Sequence, residues 1–283
     1  ELTRLLYLYE EVELSLLSSL LNKQNLDKVL FWCYELYYSS KDNDIFPFLI
    51  KIYFDFYALK NPKFYHYITK NYDKWKIEKD IYIVGNICKN LFSFKYDINV
   101  FVFRQCCLVV DKKDITSYKG RKPTWLSKFN KDYHLLYLSL SKRDYKNICY
   151  YLQRVDLNKR LDCLVDYFEK QEEAIIHHDN LIYELKHYHD YGHFVIHCLF
   201  VLFNWATELN EKKIYTTLNN DEKDEIEFIQ NSSVSPKYKT LQVKRKYKIS
   251  KALGCFQLKR NNDEDFTENL SLIHISEPTR RSD

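Results

Sequence analysis

His189, His193 and His197 lie four residues apart, a spacing that sets consecutive imidazoles on one face of a helix. Asp190 stands beside the first, and His177, His178 and His187 precede the set. Imidazole and carboxylate are the ligands a helix-borne divalent metal takes, and an ion with an open position would activate water for hydrolysis. The three rings in line span about 12 Å. Only adjacent pairs can share one ion, so another helix must complete its shell. His189, Asp190, His193 and His197 are the candidate ligands, with a divalent metal as the cofactor. The competing reading is a row of neutral core histidines in a ring-rich helix, with no cofactor.

A second constellation is cationic. Lys112, Lys113, Lys119, Arg121 and Lys122 cluster around Gly120. Between Lys237 and Arg260 there are nine lysines and arginines and no acid, while the whole chain carries only +4, leaving about −5 elsewhere. There Leu241, Val243, Tyr247 and Ile249 alternate with Lys244, Lys246 and Lys248, the period of a strand with one apolar and one lysine face. Trp125, Tyr238 and Tyr247 interleave the charges. Cations attract phosphates and rings stack on bases. Arg121, Lys122, Lys244, Arg245, Lys246 and Lys248 are therefore the candidate nucleic-acid contacts. Read blandly, the same residues make a solvated loop and a lysine-guarded strand edge.

Other chemistry lacks its residues. No G-x-S-x-G, G-x-G-x-x-G or Walker loop occurs among only four glycines. The eight cysteines sit in apolar runs without a C-x-x-C pair, as reduced core thiols of an intracellular protein do. The clusters Glu10, Glu11, Glu13 and Glu169, Glu172, Glu173 read as solvated helix faces. The apolar run from Phe194 to Trp205 is too short to span a membrane.

The elements that must hold these residues are helices. Scarce glycine and proline disfavour tight turns, and apolar residues recur at three- and four-residue intervals through the first 210 positions. The pattern predicts helices over 3–21, from Leu26 behind an Asn25 cap, and over 44–59 with Pro47 in the first turn. Asn61 is expected to cap the next, and others follow over 78–94, 100–110, 131–140, 145–155, 157–171, 174–187 and 191–209. Short connectors make an antiparallel bundle or stacked helical hairpins. Residues 1–210 form the helical domain, 211–236 an acidic and polar linker, 237–262 a small basic β-hairpin, and 263–283 a tail. In the hairpin, Cys255–Leu258 would return across 250–254. Lys23–Trp32 and Lys142–Tyr151 share a basic turn, an Asn or Asp cap and a ring-rich helix. They resemble hairpins of tetratricopeptide-like solenoids, without the small-residue signature.

Several segments resemble known sequences. His189-Asp190-Tyr191-Gly192-His193 resembles the His-Asp step of HD-family phosphohydrolases, which implies an all-helical metal-dependent hydrolase with His189 and Asp190 as ligands. The family's earlier histidine has no well-placed counterpart: His177 and His178 are too near and His134 too far. Asp221 or Asp224 would be its later acid. Lys119-Gly120-Arg121-Lys122-Pro123 resembles an AT-hook interrupted by Lys122. Phe31–Tyr38, Gly120–Leu126 and Lys239–Tyr247 resemble an uncharacterised family of large nucleocytoplasmic DNA viruses. That likeness implies an intracellular protein of the infected cell, in cytoplasm or nucleus, and brings no active site. The Phe31–Pro62 hairpin resembles the helical collar of clamp-loader ATPases, which implies oligomerisation. Leu270–Arg280 resembles a translated sequencing adapter, so residues 270–283 are expected to be foreign and the native C-terminus lost. The chain opens on Glu1 and has no methionine, an absence without a physical account. The reading is a non-enzymatic helical scaffold with a protein partner, contacting nucleic acid through its basic segments. An HD-like phosphohydrolase or an adaptor without nucleic acid are the alternatives.

Overall fold

Val12, Leu16 and Leu20 recur every fourth residue and are fully buried along α1 (Tyr9–Asn22). This is the pattern by which most of the chain becomes helix. The computed structural model describes residues 2–23, 25–40, 44–170, 194–205, 215–232, 248–252 and 255–259. Residues 1–233 form one compact unit and residues 234–283 a second, each described by itself.

The first unit is mainly α. Helix α1 starts later than its period predicts, because Leu6 takes φ 70° and the backbone turns before Tyr9. The buried Glu35 of α2 (Leu26–Ser39) accepts from Arg4 Nε at 3.0 Å and from the Leu5 amide at 2.9 Å. The chain crosses from α1 to α2 through Lys23, at φ 52°, and Asn25 caps α2 by accepting from the Asp27 amide at 2.7 Å. From Val29 to Tyr37 nearly every α2 side chain is buried, because three other helices pack on it.

Helix α3 (Phe46–Ile52) carries Pro47 in its first turn, as expected, and runs on as a π-helical turn, Tyr53–Tyr57. Such a turn adds a residue to the helical cycle. Asp55 within it receives two bonds, at 2.8 and 2.7 Å, from Arg104 of α6 (Asn99–Val109). Asn61 does not cap α4 (Phe64–Glu78). Its buried amide donates to the Tyr57 and Lys95 carbonyls at 3.1 and 2.9 Å, so a tertiary tie replaces the expected cap. Helix α5 (Tyr82–Ser93) carries Gly85 where a Cβ would stand 2.7 Å from Leu218 and 2.8 Å from the Tyr34 hydroxyl. That glycine is what permits the close approach.

Helices α7 (Lys131–Ser141), α8 (Tyr145–Arg154) and α9 (Leu157–Lys170) lie where the periodicity puts them. Arg143, at φ 50°, and the Asp144 cap join α7 to α8. Helix α10 spans Val195–Trp205. The helix expected over 174–187, and 191–193 and 206–209 of the next, lie outside the described residues.

The acidic stretch expected as a linker contains helix α11 (Asn220–Asn231), begun by an Asn219–Glu222 capping box. Before it, Asn90 exchanges bonds with the Thr216 backbone at 2.8 and 2.9 Å, and Asn86 accepts from the Leu218 amide at 2.7 Å. Lys89 donates to Glu222 at 2.7 Å, and Leu218, Ile226 and Ile229 are buried. Few apolar residues suffice here because asparagine side chains stitch the backbone to α5.

In the second unit, β1 (Lys248–Ala252) pairs antiparallel with β2 (Cys255–Lys259), Ser250 opposite Gln257 and Ala252 opposite Cys255. A hairpin forms where one is expected. Its first strand runs on to Ala252, however, leaving only 253–254 between the strands in place of 250–254. Leu241, Val243 and Tyr247 lie outside the described residues.

Candidate nucleic-acid interface

The basic segment around Gly120 is extended, yet it is fixed to the α7–α8 hairpin along its length. It begins in a 3-10 turn, Lys112–Asp114, closed by a reciprocal Asp111–Asp114 capping box. The buried amide of Asn147 on α8 then accepts from the Thr116 N–H at 2.9 Å and donates to the Thr116 carbonyl at 2.6 Å. Two residues on, the Tyr118 hydroxyl donates to Asp144 at 2.7 Å, and this bond to a carboxylate raises the phenol's pKa above its ordinary value. A Cβ on Gly120 would stand 2.6 Å from Leu138 of α7. Lys122 donates to the Phe129 carbonyl at 2.8 Å.

The Tyr118–Asp144 bond brings two basic runs side by side, since Lys119 follows Tyr118 while Lys142, Arg143 and Lys146 surround Asp144. Lys112, Lys113, Lys119, Arg121, Lys122, Lys142, Arg143 and Lys146 are all exposed. The acids between them are occupied: Asp111 and Asp114 cap each other, and Asp144 caps α8 while holding Tyr118. Lys119, Arg121, Lys142 and Lys146 make no ion pair among the described residues. Charges left in water this way cost nothing on folding and stay available to an anion.

Aromatic rings stand beside the charges. Tyr145 opens α8 and remains 49% exposed, although Phe103 and Trp205 contact its ring edge-to-face at 5.4 and 5.5 Å. Arg143 lies 5.5 Å over the Trp205 ring. The sequence marks Arg121 and Lys122 as contacts here but does not mark Lys142, Tyr145 and Lys146. The signal was the basic turn before α8, which reads as a cap until the loop is seen docked on it. Of the other candidates, Lys248 opens β1, while Lys244, Arg245 and Lys246 lie outside the described residues.

The histidine row is split. His189, Asp190 and His193 lie outside the described residues, so only His197 has a place. It is fully buried on α10, and neither ring nitrogen has a hydrogen-bond partner among the described residues. Burial, reinforced by the nearby Arg160 cation, lowers its pKa to about 3, so the ring is neutral at ordinary pH. Arg160 reaches the Val155 carbonyl at 3.4 and 3.3 Å and covers the Phe194 ring at 4.7 Å, while its Nη1 has no partner among the described residues.

Thiols surround the same core. Cys107 and Cys198 approach to 3.9 Å, and the Cys107 thiol together with burial pushes the Cys149 pKa upward. Elsewhere Cys88 and Cys33 sulfurs lie 3.3 Å apart, and burial holds Cys33 well above a usual thiol. Such thiols stay protonated and are poor nucleophiles. Among the described residues no group of three or more His, Cys, Asp or Glu is arranged to hold a metal ion, and no helix is long and apolar enough to cross a membrane. Comparison of the chain with protein-family models, with curated proteins and with solved structures gave no match in any of the three.

Proposed function

We propose that the protein is a helical scaffold that engages nucleic acid through the basic ledge on its α7–α8 hairpin. The observation that carries this reading is the docked loop. Asn147 holds the Thr116 backbone and Asp144 the Tyr118 hydroxyl, while Lys119 and Arg121, with Lys142 and Lys146 of the hairpin, are left exposed and, among the described residues, without ion pairs. A segment built only to connect two helices needs no such clamp. A pre-ordered row of cations binds a phosphate backbone without paying to order the loop. Lysine predominates over arginine, which favours backbone attraction over the two-pronged reading of base edges. The second basic segment, with Lys244, Arg245, Lys246 and Lys248, adds charge that can bind the same polymer.

Retention of the full chain on immobilised DNA at low salt tests the reading. Changing Lys119, Arg121, Lys142 and Lys146 together to Glu should abolish retention. Changing Lys244, Arg245, Lys246 and Lys248 to Glu in the parent background should weaken it without abolishing it. No retention of the parent, or equal retention by the first variant, would overturn the proposal and leave an adaptor for proteins alone.

A further inference from the structure

We infer that the ledge takes an unpaired nucleic-acid strand, with Tyr145 as the platform on which a base stacks; this rests on the function proposed above. The first N-terminal position of a helix rarely needs a large ring left in water, since burying a tyrosine normally stabilises the fold. Yet Tyr145 is 49% exposed, and it is not loose. Phe103 and Trp205 both meet it at steep angles, 76° and 81°, so no ring among the described residues lies parallel upon it. A ring held at its position with no parallel partner is what an aromatic base would complete.

The charges agree with the ring. Lys142 and Lys146 bracket Tyr145 along the chain and both are exposed, and Arg121 lies three residues after Tyr118, whose hydroxyl reaches the neighbouring Asp144. Phosphates on either side of a stacked base would meet cations at both ends of the platform. A duplex keeps its bases stacked on one another and offers no free face except at its ends, so it would engage the lysines and leave Tyr145 idle.

The test measures anisotropy of labelled oligomers of deoxythymidine and of uridine, and of a duplex of equal length, against the full chain. The parent should bind the single strands more tightly than the duplex. Tyr145→Leu should weaken single-strand binding about tenfold, within the range of a lost base–ring stack, and leave duplex affinity and salt dependence unchanged. Tyr145→Phe should bind as the parent does. Photo-crosslinking of bromodeoxyuridine-substituted strands to the unaltered chain, which needs no variant to fold, should modify the peptide containing Tyr145. Equal affinity of the Leu variant, a preference for duplex, or crosslinks confined to other peptides would overturn this inference. If the Lys-to-Glu ledge variant still lost DNA in those cases, the broader proposal would survive. If the parent bound neither form, both would fall.

Discussion

The α1–α2 and α7–α8 hairpins turn their chains in the same way and put the turn to opposite use. Each passes through a left-handed basic residue, Lys23 at φ 52° or Arg143 at φ 50°, and restarts behind a side-chain cap, Asn25 or Asp144. In the first hairpin the turn's cation is spent internally, since the Lys23 ammonium donates to the Phe94 carbonyl. Its second helix disappears into the core, with helices α1, α5 and α11 around it. In the second hairpin the core takes only the middle of α8, from Asn147 to Leu152. Lys142, Tyr145 and Lys146 are left in water beside a loop that the same helix holds in place. Turn chemistry therefore does not distinguish structure from site. What packs on the next helix does.

If that contrast is right, equivalent insults to the two hairpins should read out differently. The largest effect belongs to α2. Glu35→Ala removes the buried acceptor of Arg4 and Leu5 and should cost about 3–5 kcal/mol in urea unfolding, because Arg4 is left without its carboxylate. A loss below about 1 kcal/mol would contradict the packing described for α2.

Next comes acid sensitivity centred on His197, behind the second hairpin. Its folded pKa, about 3, lies below the usual 6.5, so the unfolded chain takes up a proton first as pH falls. Its contribution is therefore complete above about pH 6.5 and is lost progressively toward pH 3. His197→Leu should flatten that part of the stability profile; an unchanged slope would show the ring is not buried neutral.

Smaller again is Asn147→Ala. Releasing the Thr116 backbone should cost about 1–2 kcal/mol, and it should weaken nucleic-acid retention although no cation is removed. Retention equal to the parent's would mean the loop needs no clamp. The smallest change in stability is expected on the ledge itself, where Lys142→Gln and Lys146→Gln should each stay within about 0.5 kcal/mol of the parent. A larger loss in thermal melts would mean these lysines are structural.

Much of this fold is legible in the sequence because apolar spacing survives strongly in α1, α2 and α6 to α10, and because Asn25 and Asp144 are caps of ordinary chemistry. The misreadings share one cause: tertiary partners that periodicity does not contain. Asn61 looks like a cap but its amide is taken by Tyr57 and Lys95 carbonyls. Residues 220–231 look like a solvated acidic run because only Ile226 and Ile229 face inward, and Asn86 and Asn90 supply the rest of the adhesion. The first residues continue a helical period, yet Glu35 draws Arg4 and Leu5 into a turn. For the site, the charge of Arg121 is visible in the sequence. Its nearness to Lys142, Tyr145 and Lys146 depends on Tyr118 meeting Asp144 across 26 residues.

Whether the ordered cationic ledge on α7–α8 binds a phosphate backbone is decided by the salt dependence of oligonucleotide affinity. Plotted against the logarithm of salt concentration, the logarithm of the parent's affinity should fall with a slope of about −0.7 for each phosphate contacted. The slope should become shallower by roughly that step for each of Lys119, Arg121, Lys142 and Lys146 neutralised. An affinity indifferent to salt, or a slope unmoved by those four changes, would contradict the account.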